Sequence, residues 1–497
     1  MKNHPLLTCA MLLLWSLPGQ AGSTAGTPSV ETTASALQTR IARVEQGLST
    51  RVAVKGSADR KMSLTERMAF HQVPAVSIAL INDGRVEWAR AYGVADESSQ
   101  RPATTTTLFQ AASISKAVTA MGALRLVEQG KLSLDEDANR QLTSWKIPQN
   151  EFTAQKAVNL RMLLNHSAGI TVHGYHGYAP GQKLPTLLQV LDGVAPANSE
   201  PVRVDLVPAT TWRYSGGGYS IVQLMMTEAS GQPFDLYMKE SILDPLGMAH
   251  STFALSLPRA ERARTATAYD SSGKAIAGRW HLYPESAAAG LWTTPSDLAR
   301  VVLEVQQAEA GKSRKILSSE MASTMLTRGL GEYGLGFFVE DLGGRTSFGH
   351  SGGAEGFRTQ LYGYTRSGQG AVVMTNSDNG AALIEEILSS IAAEYGWPEF
   401  HVIEKAAIPG DAATNQQLAG DYRLENLPAH IVAEGDRLYV QSELFGAKRM
   451  ELFPESKAVF FMTAQDMSIR FERSADGGAV GFSLVRGAKT YPATRAR

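Results

Sequence analysis

The sequence predicts a mixed α/β fold of the α+β kind: an antiparallel sheet flanked by helices, with a mainly helical insertion, followed by a small all-β domain at the C-terminus. Three observations predict it. Two β-rich runs, VPAVSIALI and NDGRVEWARAYGVAD, meet at Asn82-Asp83-Gly84, a hairpin signal because Asp-Gly readily supplies the positive φ angles of a tight turn. Strand-like runs return only after residue 340, at TSFGHSGG, GFRTQLYGYT and GAVVMTNS, with helical patterns and loops rich in Gly, Pro, His and Tyr in between. Beyond residue 416, HIVAEGDRLYVQS, AVFFMTA and SIRFERSADGGAVGFSLVRG alternate apolar and polar residues between turn signals, the mark of a small, partly closed barrel.

Taken in chain order, residues 1–21 have the form of a secretory signal: Lys2, the apolar run LLTCAMLLLWSL, then small residues Gly19 and Ala21 before a cleavage point after Ala21. The run falls short of the roughly 18 apolar residues a membrane-spanning helix needs. Export to a periplasmic or extracellular location is therefore expected, with no stable membrane span after cleavage; an uncleaved anchor is the alternative. Residues 22–61, beginning with STAGTPSVETTASA, are small and polar and read as a flexible lead-in. The main unit is expected over 62–400. It opens on SLTERMAFH, where Ser63 and Glu66 form a capping-box pattern. From Ser113 the period turns helical, with Ile114, Val118, Met121, Leu124 and Val127 on one face until Gly130. A further helix is expected from Ala381 to Tyr395, then a turn-rich linker over 401–415 and the all-β domain over 416–497.

A chain of 497 residues can hold two or three folding units, and 43% apolar with 19% charged residues is a globular composition. The net charge of −1 offers no basic field, so nucleic acid is not an expected partner. Cys9, the one cysteine, lies inside the signal. The mature chain thus has no thiol nucleophile, disulfide or zinc-thiolate site, and covalent chemistry falls to oxygen or nitrogen. His173 and His176 in HGYH are a weak metal pair, because the intervening glycine argues against a helix and no third ligand is near in sequence. No metal and no cofactor are expected.

The stretch LFQAASISKAVTAMGAL puts Ser113 and Lys116 one helical turn apart, within reach of an amine-to-hydroxyl hydrogen bond. A serine hydroxyl becomes a nucleophile once a neighbour takes its proton, and a lysine can do so near neutral pH if burial or a second cation lowers its pKa. The spacing alone is weak, since Ser271 and Lys274 repeat it in a Gly-containing turn. Two further motifs give it company: Tyr214 in WRYSGGGYSIVQL, ahead of a helical run, and His350-Ser351-Gly352 in FGHSGGAEGF, at the end of a strand.

In this order the three motifs resemble the serine β-lactamase and penicillin-binding-protein superfamily in its class C branch, where a tyrosine motif replaces S-D-N. GKLSLDEDANRQL, RMLLNHSAGI, DPLGMAHSTF, AAGLWTTPSDLARV and YGLGFFV resemble blocks of that family in its order, and the likeness runs from Val73 to Tyr395. It implies Ser113 as acylated nucleophile, Lys116 as its proton partner and Tyr214 as a phenol that shuttles protons. It also implies an oxyanion hole from the backbone N–H groups of Ser113 and Gly353, with Ser351 and Gly352 on the substrate-binding strand. His350, the fourth catalytic candidate, stands where the β-lactamases have lysine, and Gly216 where the tyrosine motif usually ends in Asn. A neutral imidazole anchors a carboxylate less strongly than an ammonium, so β-lactam hydrolysis is expected to be weak or absent.

The expected activity is that of an exported serine hydrolase forming a Ser113 acyl-enzyme on an ester, amide or D-amino-acid peptide. Its partner would be a small-molecule or peptide substrate, with cell-wall fragments among the candidates. The alternative is a non-catalytic penicillin- or peptidoglycan-binding or sensing protein. His166 is expected to be structural. The C-terminal domain resembles small β-barrel appendages of some family members, either a lid or a scaffold.

Overall fold

The computed structural model describes residues 30–57, 61–341, 343–424, 427–442, 449–474, 478–487 and 489–496, so the expected signal and Cys9 lie outside the described residues. The first element, helix α1 (Val30–Gln46), overturns the reading of 22–61 as a flexible lead-in. Leu37, Ile41, Val44 and Leu48 recur every three or four residues and bury themselves against a late helix, named α7 below. Polar neighbours hid this stripe, which has a partner only in the folded chain. Strand β1 (Val52–Val54) follows, and helix α2 (Leu64–His71) starts at Ser63 with the predicted capping box, Glu66 N–H to Ser63 Oγ at 3.2 Å and Ser63 N–H to Glu66 Oε2 at 2.8 Å.

Strands β2 (Ala75–Asn82) and β3 (Arg85–Asp96) form the predicted hairpin, closing on Asp83 and Gly84 at φ 51° and 69°. Next come β4 (Arg101–Pro102), β5 (Phe109–Gln110) and helix α3 (Ile114–Glu128). The helical insertion supplies α4 (Gly216–Ser230), α5 (Ser286–Ala289), β6 (Trp292–Thr293) and α6 (Pro295–Glu309). Strands β7 (Phe338–Asp341), β8 (Thr346–Ala354), β9 (Phe357–Tyr364) and β10 (Gly370–Thr375) return to the sheet, and helix α7 (Gly380–Tyr395) closes the unit.

The sheet has seven strands in the order β4-β3-β2-β10-β9-β8-β7, every neighbour antiparallel. Along β2, Ala75, Ala79 and Ile81 pack into the core shared with α3, α4 and α6, while Val76, Ile78 and Leu80 pack under α1, α2 and α7. Both faces are covered, which is why β2 reads as an apolar run interrupted only by buried Ser77 up to Ile81. On the second face Arg67 clamps Glu386 at 2.7 and 2.6 Å and His71 adds a contact at 3.0 Å, an ion-pair cluster closed off from water.

The segment expected as a linker over 401–415 is also structured. It holds β11 (Ile403–Lys405), parallel to β1, and the start of helix Ala412–Leu418. Eight strands then close a barrel: β12 (Gly420–Leu424), β13 (Leu427–Glu434), β14 (Arg437–Ser442), β15 (Met450–Pro454), β16 (Val459–Phe461), β17 (Ser468–Arg473), β18 (Ala479–Arg486) and β19 (Lys489–Arg495). Complete closure, with β12 pairing β19, exceeds the partly closed barrel expected from sequence. Tyr422, Phe460, Phe471 and Phe482 fill its interior.

Candidate active site

Four segments distant in sequence converge at the start of α3. The two-residue pairing of β5 with β6 sets the chain before Ser113 beside that after α5, and Ala111 N–H donates to Leu291 O at 2.8 Å. Strand β8 comes in against the same loop, where Thr359 of the neighbouring β9, paired with Gly352, bonds Ala111 O through Oγ1 at 3.1 Å. A Cβ on Gly352 would sit 2.2 Å from Ala111 O, so only glycine lets the strand run this close. Ala112 holds φ at +49°, a strained value for a residue with a side chain, immediately before Ser113.

Ser113 occupies the N-cap position of α3 without a side-chain capping bond, which leaves its hydroxyl free for Lys116. Lys116 Nζ lies 3.0 Å from Ser113 Oγ and 2.9 Å from Ala288 O. Only 2% of Lys116 is exposed, and burial alone lowers its pKa from 10.5 to about 7. The amine also lies 4.9 Å from the centre of the Tyr214 ring and 5.8 Å from that of Tyr219.

Tyr214 comes from the turn before α4. Ser215 caps that helix, accepting from Gly218 N–H at 3.0 Å, and Gly216 N–H donates to His173 O at 3.0 Å. The Tyr214 phenol is buried and its pKa raised by desolvation, partly offset by the approach of Ser113. Its hydroxyl makes no hydrogen bond of normal geometry among the described residues, so it faces the serine without being held.

His350 is 2% exposed, 6.0 Å from Tyr214 ring to ring. Burial first, then the Lys116 charge, pulls its pKa to about 3, against a weaker upward pull from Ser351 O. The neutral ring donates Nδ1–H to Ser351 O at 2.6 Å, leaving Nε2 as an acceptor with no partner among the described residues. Ser351 and Gly353 are exposed on β8, alternating with buried His350, Gly352 and Ala354.

Sequence reasoning missed the aromatic enclosure of the phenol. His166, expected to be structural, lies 4.3 Å from Tyr214 and 4.7 Å from Tyr333 between ring centres, and Trp212 closes the same cluster. Ser215 N–H donates to His166 Nδ1 at 3.1 Å, so the proton sits on Nε2, which has no partner among the described residues. The YGLGFFV block contained Tyr333 and was the available signal. His173 packs on Tyr214 at 5.0 Å, whereas His176 uses its carbonyl to accept from His281 Nδ1–H at 2.8 Å. Among the described residues no group of three or more His, Cys, Asp or Glu could hold a metal ion. The second Ser-x-x-Lys lies in a turn organised by Asp270, which accepts from Ser272 and Lys274 N–H at 2.9 Å each.

A serine hydroxyl 3.0 Å from a buried lysine amine and beside a phenol, at the junction of a helix start and a sheet strand, agrees with the match of residues 63–392 to the Beta-lactamase family model. The chain belongs to the beta-lactamase family. Penicillin-binding protein 4* of Bacillus subtilis (strain 168) is 26% identical over 444 residues, 83% of this chain and 93% of that protein. Esterase EstB of Burkholderia gladioli is 29% identical over 195 residues, 37% of this chain and 48% of its own. The octameric penicillin-binding protein homologue from Pyrococcus abyssi superposes with a TM-score of 0.59 at 22% identity, covering 86% of this chain and 98% of that one. This beta-lactamase-family chain is a serine hydrolase.

Proposed function

We propose that the protein is an exported serine hydrolase that works through a Ser113 acyl-enzyme on an ester, amide or D-amino-acid peptide and has weak or no β-lactamase activity. One observation carries the reading: the Lys116 amine, pushed by burial to a pKa of about 7, sits 3.0 Å from Ser113 Oγ. Neutral Lys116 takes the hydroxyl proton as Oγ bonds the substrate carbonyl carbon. The negative charge forming on the carbonyl oxygen is met by the N–H groups of Ser113 and Gly353. Tyr214, kept protonated by its raised pKa, gives its proton to the departing oxygen or nitrogen and is reprotonated from Lys116. The carbonyl re-forms, the leaving group departs, and water attacks the acyl-enzyme while passing its proton back along the same groups.

Neutral His350 and side-chain-free Gly216 argue against efficient β-lactam turnover, since neither supplies a cation or an amide for such a substrate. The likeness to an esterase supports an ester or related acyl substrate. Export rests on the leader at residues 1–21 and is tested by cell fractionation. A fluorophosphonate probe should label Ser113, and Ser113→Ala should abolish turnover of p-nitrophenyl butyrate. Turnover undiminished in Ser113→Ala overturns the reading, and stoichiometric acylation without turnover favours a penicillin-binding or sensing role.

A further inference from the structure

Glu285 is a buried acid for which this mechanism has no use. It is 0% exposed, and neither carboxyl oxygen has a hydrogen-bond partner among the described residues. Its backbone is fixed: the Glu285 carbonyl accepts from the N–H groups of Ala288 and Ala289 at 3.0 Å each. Gln223 grips the flanking peptides, donating to Pro284 O at 3.2 Å and accepting from Ala287 N–H at 2.9 Å. Ala288 O in turn holds Lys116 Nζ. The carboxyl is therefore carried on a rigid segment tied to the catalytic lysine.

Three phenols lie within the electrostatic reach of this carboxyl, those of Tyr175, Tyr178 and Tyr283. Two of them contact backbone two residues from a site residue. The Tyr175 ring is 3.1 Å from where a Cβ on Gly216 would stand, two residues beyond Tyr214. The Tyr283 hydroxyl accepts from Glu355 N–H at 3.2 Å, two residues beyond Gly353. Tyr178 pairs through its backbone with Leu282. Through Ala288, Tyr175 and Tyr283, the surroundings of Glu285 thus adjoin the segments that carry Lys116, Tyr214 and Gly353. Such an acid, unbonded and out of water, is a cost to the fold that a bound cation cancels, and burial holds its pKa at about 7.

We propose that Glu285 is an ammonium-recognition site: it anchors the free amine of an amino-acid ester, amide or peptide whose carbonyl is presented to Ser113, with the tyrosine rings lining the cation. This deepens the serine-hydrolase reading and rests on it. The substrate class narrows accordingly to compounds bearing a primary amine close to the scissile carbonyl.

The experiment compares kcat/KM for D- and L-alanine p-nitroanilide and their N-acetyl derivatives, in the wild type and in Glu285→Gln, with fluorophosphonate labelling of Ser113 run alongside. The wild type should favour the free amine over the N-acetyl form by about tenfold or more in at least one enantiomer, and Glu285→Gln should bring that ratio to within about twofold of one. The wild-type ratio is read first and needs no variant to fold. No preference in the wild type, or an unaltered ratio in Glu285→Gln, overturns the assignment while Ser113 labelling keeps the hydrolase reading. Absence of labelling overturns both.

Discussion

Replacing Lys116 with methionine should stabilise the protein at low pH while abolishing its chemistry. The unfolded chain carries the ammonium with a pKa near 10.5, and the folded chain lowers it to about 7. Between those values the unfolded state binds more protons, so stability rises with pH across that window; the cost is fully present below pH 7 and gone above about 10.5. The displacement amounts to about 5 kcal/mol of folding stability below pH 7. Methionine has a similar length without charge, and it forfeits the hydrogen bonds to Ser113 Oγ and Ala288 O, about 1 kcal/mol each. Lys116→Met should therefore gain about 3 kcal/mol near pH 6 and lose about 2 kcal/mol near pH 10.5. Calorimetric unfolding of both proteins at several pH values reads the difference, with the intact barrel common to the two. Equal destabilisation of the variant at pH 6 and pH 10 would refute the argument that the buried amine stores this energy.

For a neutral ester, kcat/KM should fall about tenfold for each pH unit below 7 as Lys116 becomes protonated, and a flat profile down to pH 5 would exclude it as the base. An ester without an amine is the right reporter, because Glu285 ionises in the same range. Tyr214→Phe should lower kcat by about 10²-fold or more while fluorophosphonate still labels Ser113; a loss under threefold would remove the phenol from the proton route. His350→Lys should speed acylation by a fluorescent penicillin by about tenfold through a cation for its carboxylate, and no change in labelling rate counts against the role given to this position. Arg67→Ala removes both guanidinium bonds from buried Glu386, leaving it the His71 contact, and should cost about 3–5 kcal/mol in thermal unfolding. A loss below about 1 kcal/mol would mean that the pair contributes little.

What was legible in the sequence is what local chemistry decides. The Asp83-Gly84 turn, the Ser63 capping box and the start of α3 each need only a few adjacent residues, and each formed as expected. The approach of Lys116 to Ser113 was legible for the same reason, since one helical turn fixes it. Helix α1 escaped notice because its stripe of Leu37, Ile41, Val44 and Leu48 matters only against α7, more than 300 residues away. The depth of Lys116 was likewise unreadable, since its enclosure comes from α5 and the rings of Tyr214 and Tyr219. Glu285 carried no signal at all: one acid in YPESAAAG becomes unusual only when the fold buries it completely and leaves its carboxyl without a partner among the described residues.

The three residues of β1 tie together parts of the chain made at very different times. They lie alongside β11, and Val52 N–H also donates to Thr463 O of the barrel at 2.9 Å. During synthesis from the N-terminus these early residues have no partner until Ile403 and Thr463 have left the ribosome, so this clasp is among the last to fasten. A stretch made first is thereby fixed in place by segments made last, so the N-terminal strand can take up its final position only when the chain is nearly complete.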